Sequence, residues 1–169
     1  MATWLKKTYE RLFNDGSGAL KCNRGKTHDY LGMNLDYTVK GRVKITMIPY
    51  NTEIVELFYR HDPSKKTSST PAAEHIFRVN DECKKLPDKA KTIFHHFVAK
   101  CLFATKRARP DISVAVAFLT TRVKSPDEDD WKKLTRMIQY LRGTLDLGLT
   151  INAESLHIPK WWVDGSHGV

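Results

Sequence analysis

Four consecutive acids, Asp127-Glu128-Asp129-Asp130, form the densest group of potential ligands in the sequence. Divalent cations need several convergent oxygens, so the run invites a metal site. Its surroundings favour a different role. Ser125-Pro126-Asp127-Glu128 reads as an S-x-x-E capping box with proline at the first helical position, Ser125 and Glu128 satisfying exposed amides reciprocally. Acids in a first turn complement the helix dipole. Glu128–Lys132 and Asp129–Lys133 also stand at favourable i,i+4 spacing. Four neighbours on a helix point around its axis rather than at one ion, so the run is expected to start a helix.

A second group is cationic. Lys106, Arg107 and Arg109 precede Pro110, at the expected end of a helix. Cations are favoured there by the dipole, and guanidinium groups also grip phosphates bidentately; both readings stand. Asp111 is placed either to cap the next helix or to pair with Arg109. His95-His96 suggests acid–base or metal chemistry, but adjacent helical residues diverge by about 100°. No i+4 partner completes a site, and a place at the edge of the core is expected. No G-x-S-x-G, Walker A, H-E-x-x-H or C-x-x-C pattern is present.

The elements that must position these groups are modest. The 169 residues are 41% hydrophobic and 28% charged, enough for one domain with a real core. No apolar run approaches the ~20 residues of a membrane span, and the start lacks the apolar segment of a signal peptide. Cys22, Cys83 and Cys101 are odd in number and far apart, which points to reduced thiols, an intracellular setting and no structural zinc. The net charge is +9, and residues 84–111 carry eight Lys/Arg against two Asp. Such clustering suits a polyanion, because each neutralised phosphate releases condensed counterions; a solvated basic face is the plain alternative.

Periodicity predicts an α+β fold. Leu5, Tyr9, Leu12 and Phe13 mark a first helix, which "NDGSG" ends. Residues 28–48 read as two strands around a turn near Lys40-Gly41, forming an N-terminal β-hairpin with flanking helices. Residues 50–60 return to helical spacing after Pro49, and residues 63–74 form a polar linker. Three helices follow. The first aligns Phe94, Phe97, Val98, Cys101, Leu102 and Thr105; the second begins after Pro110; the third carries Trp131, Leu134, Ile138 and Leu141 up to Gly143. Strand-like runs at 147–152 and 160–164 suggest a short C-terminal strand pair.

The order of these segments resembles the C-terminal part of a copia-type retrotransposon reverse transcriptase. The resemblance rests on "DYLGMNLDYTVKGRVKITM", "SSTPAAE", "FHHFVAKCLFATKRARPDISVAVAFLTTRV", "SPDEDDWKKLTRMIQYLRGTLDLGL" and "WWVDGS", over about residues 4–166. The most specific feature is "RPDI" followed roughly thirty residues later by "YLRGT". The resemblance implies that residues 1–62 are the end of the palm and start of the thumb, and 75–146 the thumb and connection. It makes 147–169 the start of an RNase H-like domain. It implies that Tyr30-Leu31-Gly32 is the hairpin that steadies the primer terminus, glycine allowing close backbone approach. Asp164 would be the first metal-binding RNase H aspartate, although a strand-end Asp before a glycine turn reads the same way.

The family's activity is RNA-directed DNA synthesis with magnesium. Its Tyr-x-Asp-Asp motif appears nowhere in this sequence, and only five residues follow Asp164. The chain is therefore expected to be an inactive, truncated fragment that retains no cofactor. The expected partner is an RNA–DNA hybrid or duplex DNA held by its phosphates, through Lys106, Arg107, Arg109, Lys132 and Arg136. The remainder of the polyprotein is a further expected partner, and a membrane is not. The rival expectation is a small protein–protein module that associates through an exposed apolar helical face.

Overall fold

A computed structural model describes residues 2–12, 24–153 and 158. Asp164, Cys22 and the strand-like run at 160–164 lie outside the described residues. Among the described residues the fold is α+β, with five α-helices and a four-stranded antiparallel sheet. Among the described residues, no helix is long and apolar enough to cross a membrane.

Helix α1 spans Ala2–Leu12. The sheet then builds from strands β1 (Thr27–Tyr30), β2 (Met33–Asp36) and β3 (Arg42–Thr46), in sequence order. The alternation of Leu31, Met33 and Leu35 predicts one continuous strand, but the chain reverses inside it. Leu31 (φ 50°) and Gly32 (φ 77°) form a two-residue turn that pairs Tyr30 with Met33. Positive φ at both central positions matches the twist of a tight hairpin. Leucine pays roughly 1–2 kcal/mol in that region, so its apolar side chain hides the turn from a pattern reading. The expected turn at Lys40-Gly41 is present, with Gly41 at φ 77°.

The last strand of the described residues, β4 (Leu149–Asn152), pairs with β3, matching Ile45 to Leu149 and Val43 to Ile151. The expected C-terminal strand pair is corrected to this extent: β4 completes the N-terminal sheet. Gly148 permits the approach, since a Cβ there would collide with the Ile45 carbonyl and lie 2.8 Å from Thr46 Cγ2. The register puts Tyr30, Met33, Leu35, Val43, Ile45 and Ile151 on one face and Asp29, Asn34, Asp36, Arg42 and Lys44 on the other.

The helical part contains α2 (Ile48–Tyr59), α3 (Asp88–Thr105), a 3₁₀ turn at Pro110–Ile112, α4 (Ser113–Arg122) and α5 (Glu128–Gly143). Pro49 sits in the first turn of α2, where its missing N–H is harmless. Ile54 and Phe58 of α2 enter the same core as Phe94, Val98, Leu119 and Leu134. The expected three-helix bundle is thus a four-helix one, and its core runs across the 63–74 loop. Leu102 departs from its expected buried position and is 37% exposed, while Phe94, Phe97, Val98, Cys101 and Thr105 are buried. Burial pushes the Cys101 thiol up to about 12, against weaker opposing effects of Arg109 and Lys100, so it stays an inert core group. Cys83 is also a free thiol.

The acidic run starts α5, but two residues away from the expected box. Leu86 N–H donates to Pro126 O at 2.9 Å and Glu128 N–H to Lys84 O at 3.1 Å, holding the chain extended through Asp127. Asp127 therefore becomes the N-cap. Its Oδ1 accepts from Asp130 N–H at 2.9 Å, and Asp130 Oδ2 accepts from Asp127 N–H at 3.1 Å. Arg122 bridges both carboxylates, at 3.2 Å to Asp127 and 3.0 Å to Asp130, and Lys85 reaches Asp127 at 3.3 Å. Asp129 pairs with Lys133 at 2.9 Å. Asp127, Asp129 and Asp130 are thus used by the helix start, while the Glu128 side chain is exposed.

Candidate nucleic-acid interface

The α3–α4 joint is built around Arg109. Thr105 Oγ1 donates to the Arg109 carbonyl at 2.9 Å as α3 ends, and Pro110 opens the 3₁₀ turn. The Arg109 side chain is fully buried. Its Nε donates to Asp111 Oδ1 at 3.0 Å and its Nη2 to Asp111 Oδ2 at 2.8 Å. Nη1 donates to the Thr144 carbonyl at 2.9 Å and Nη2 to Thr144 Oγ1 at 2.7 Å. The guanidinium also lies 5.7 Å from the Tyr140 ring centroid. Burial alone would raise the Asp111 carboxyl, but hydrogen bonding and charge from Arg109, with help from Tyr140, hold it below its usual range. Arg109 is thus corrected from phosphate contact to buried brace, because its donors are spent inside the fold.

The remaining predicted cations fall into two patches. Lys106 is the exposed C-cap of α3. Arg107 is half-buried, with its guanidinium 3.4 Å from the Phe103 ring centroid and Nη1 donating to the Phe103 carbonyl at 3.2 Å. Lys132 is exposed on the outer side of α5. It lies about 18 Å along that helix from Thr144, at 1.5 Å per residue, and hence from the Arg109 joint. Arg136 is half-buried, and its Nη2 donates to Thr70 Oγ1 at 2.9 Å.

That contact belongs to a wider arrangement in which residues 62–78 strap the outside of α5. Gln139 Nε2 donates to Asp62 at 3.2 Å, and Arg142 Nη1 donates to the carbonyls of Ser64 and, at 3.0 Å, Lys66. Lys133 Nζ donates to the Arg78 carbonyl at 2.5 Å. Lys132 and Arg136 line a cleft of about 230 Å³ between α5 and this strap, with Ala73, His75 and Ile76 opposite. Arg136 therefore works chiefly as a strap anchor, while Lys132 keeps its charge in solvent.

Tyr30, Leu31 and Gly32 form the tip of the β1–β2 hairpin. Tyr30 is 59% and Leu31 58% exposed, and Gly32 sits over Met47 at the start of α2. The tip thus offers an apolar, glycine-bearing edge. His95 and His96 are exposed on α3, with His96 against the edge of Phe97. Among the described residues, no three His, Cys, Asp or Glu side chains converge as a metal site would require.

Two features escaped the pattern reading. One is the strap, because its anchors on α5 reach partners 55 to 78 residues earlier in the sequence. The other is a pocket of about 300 Å³ between α2 and α3, with Arg60, His61 and His96 on its walls. A signal for it existed in α3, where His96, Lys100, Phe103 and Arg107 recur at helical steps.

Comparison with known proteins gives weak similarity to transposon Pol polyproteins. The chain is 26% identical over 125 residues to the Retrovirus-related Pol polyprotein from transposon TNT 1-94 of Nicotiana tabacum, covering 71% of this chain and 9% of that protein. It is 33% identical over 95 residues to the corresponding polyprotein from transposon RE2 of Arabidopsis thaliana, covering 54% of this chain and 6% of that protein. It is 24% identical over 144 residues to a transposon Ty5-1 protein of Saccharomyces cerevisiae, covering 85% of this chain and 46% of that protein. The chain thus spans under a tenth of the two plant polyproteins and under half of the yeast protein. No family model and no solved structure matches. The similarity supports derivation from a retrotransposon polyprotein.

Proposed function

We propose that this chain corresponds to the thumb and connection region of a copia-type reverse transcriptase and holds template–primer nucleic acid through its phosphates, without reading sequence. The observation that carries this reading is the joining of its two most specific stretches. "RPDI" and "YLRGT" meet through Arg109, Asp111, Tyr140 and Thr144 in one buried cluster. The cluster fixes the end of α3, from which Lys106 and Arg107 project. A rigid cationic surface of this kind suits a duplex backbone, where phosphate contacts position the partner and carry no sequence information. The exposed Tyr30-Leu31-Gly32 tip is the chain's contact for a primer end in this reading.

Chemistry is not assigned to these residues. No Tyr-x-Asp-Asp is present, and a two-metal reaction needs several fixed carboxylates. Asp164, the remaining candidate ligand, lies outside the described residues. The test is competition binding, in which RNA–DNA hybrids of unrelated sequence should displace one another equally. A strong preference for one sequence would contradict the reading.

A second reading, association through apolar surface, is favoured by one observation. Several large apolar side chains on the sheet and its turns are exposed, among them Tyr30, Leu31, Tyr37, Val39 and Ile151. The sheet is the surface for such a partner in this reading. Ionic strength separates the readings, because apolar association persists in salt that screens phosphate contacts.

A further inference from the structure

Helices α2 and α3 run antiparallel, and their outer sides meet residue by residue. Tyr50 meets Phe103 with ring centroids 5.1 Å apart, and the Tyr50 hydroxyl donates to the Lys100 carbonyl at 3.3 Å. One turn on, Glu53 pairs with Lys100 at 2.7 Å. Beyond that pair the groove opens into the pocket of about 300 Å³. Leu57, Ile93 and Phe97 supply its apolar surface, and Arg60, His61 and His96 carry nitrogen groups around it. No carboxylate lines it. His61 is held at the wall by edge contacts to Phe58, Phe97 and Trp131, at 6.3, 5.9 and 6.3 Å.

This chemistry selects a ligand with a flat apolar face, hydrogen-bonding edges and negative charge. An unpaired nucleotide has all three, whereas a duplex keeps its base faces stacked inside. The groove also continues. From His96 it passes Lys100 to Phe103 and Arg107, about 16 Å along α3 at 1.5 Å per residue. Arg107 over Phe103 makes a second cation–aromatic platform at that end. Alternating aromatic and cationic groups along a track are what a single strand requires, bases stacking on rings and phosphates meeting cations. Lys100 is engaged by the carboxylate on the track, Glu53, so the cations left for phosphate stand at the two ends, Arg60 and Arg107.

We propose that the α2–α3 groove binds a single-stranded segment of nucleic acid, with one unpaired base in the pocket beside Phe97 and the strand running past Lys100 toward Arg107. The proposal rests on the nucleic-acid reading above and shares Arg107 with its cationic surface, but places the single strand away from Lys132 and the α5 cleft.

The test uses the full chain and two fluorescent probes measured in parallel by anisotropy: a ten-nucleotide oligothymidine and a blunt RNA–DNA hybrid. Arg60→Ala and His96→Ala both change exposed side chains, and an unchanged thermal midpoint verifies the fold. Each is expected to weaken oligothymidine binding about five-fold or more while leaving hybrid affinity unchanged. Lys132→Glu should do the reverse. Equal oligothymidine affinity in wild type and both variants would overturn the proposal, as would a parallel loss for both probes. Absence of hybrid binding with an intact, Arg60-dependent oligothymidine signal would overturn the duplex reading and leave the groove standing.

Discussion

The guanidinium of Arg109 donates to both the carbonyl and the hydroxyl of Thr144, 35 residues further along the chain. This one pairing joins the α3–α4 turn to the end of α5. Removing it should unfold rather than disarm the protein. Arg109→Ala leaves Asp111 and the Thr144 carbonyl short of a donor, and we expect a loss of about 3 kcal/mol or more in urea unfolding. Lys106→Glu, a change at an exposed side chain three residues away, should leave the unfolding free energy within about 0.5 kcal/mol of wild type.

The position of the α5 cap gives a sharper local test. Asp127 caps the helix and Ser125 does not, so Asp127→Ala should destabilise by about 1–2 kcal/mol, with loss of the Arg122 and Lys85 contacts adding to the cap. Ser125→Ala should be close to neutral. A larger effect at Ser125 than at Asp127, read by thermal melting, would restore the box expected from sequence.

Acid stability follows from the same ion pairs. Asp111 is pushed up by burial but held below its ordinary value of 3.8 by Arg109. A carboxylate lowered in the folded state contributes fully above its unfolded pKa, and that contribution is lost as pH falls through the folded one. Asp127 behaves likewise, whereas Asp130, raised chiefly by its burial, works in the opposite sense. The wild type should therefore lose stability from about pH 4 downward. Asp111→Asn should be less stable at pH 7 and show a flatter acid limb in melts between pH 7 and 2.5.

Gly148 tests the attachment of β4. An alanine methyl there would collide with the Ile45 carbonyl, a backbone atom that cannot swing aside. Gly148→Ala should cost about 1–3 kcal/mol and remove amide-exchange protection selectively from residues 149–152. Uniform loss across the helices would mean that β4 is not a separable edge.

The helical part was largely legible because its signals are local. Pro110, the Leu134–Ile138–Leu141 stripe and Gly143 each mark structure within one or two turns. The Leu31-Gly32 turn was hidden because leucine fits a strand pattern while its backbone adopts a turn conformation. Arg109 was misplaced for a related reason. A guanidinium looks identical in sequence whether it meets phosphate or Thr144, and only the arrival of α5 decides. The strap and the α2–α3 pocket depend on contacts between distant segments, so periodicity could not reveal them.

The central claim, sequence-independent grip on template–primer phosphates, is tested most directly by the salt dependence of RNA–DNA hybrid affinity in wild type and in Lys106→Glu/Lys132→Glu. Each phosphate contact contributes about 0.9 to the slope of log affinity against log salt for a B-form duplex, a guide for the hybrid. The account predicts a steep wild-type slope, shallower by about two contacts in the double variant, at unchanged thermal stability. A salt-independent affinity, or an identical slope in the two proteins, would contradict it.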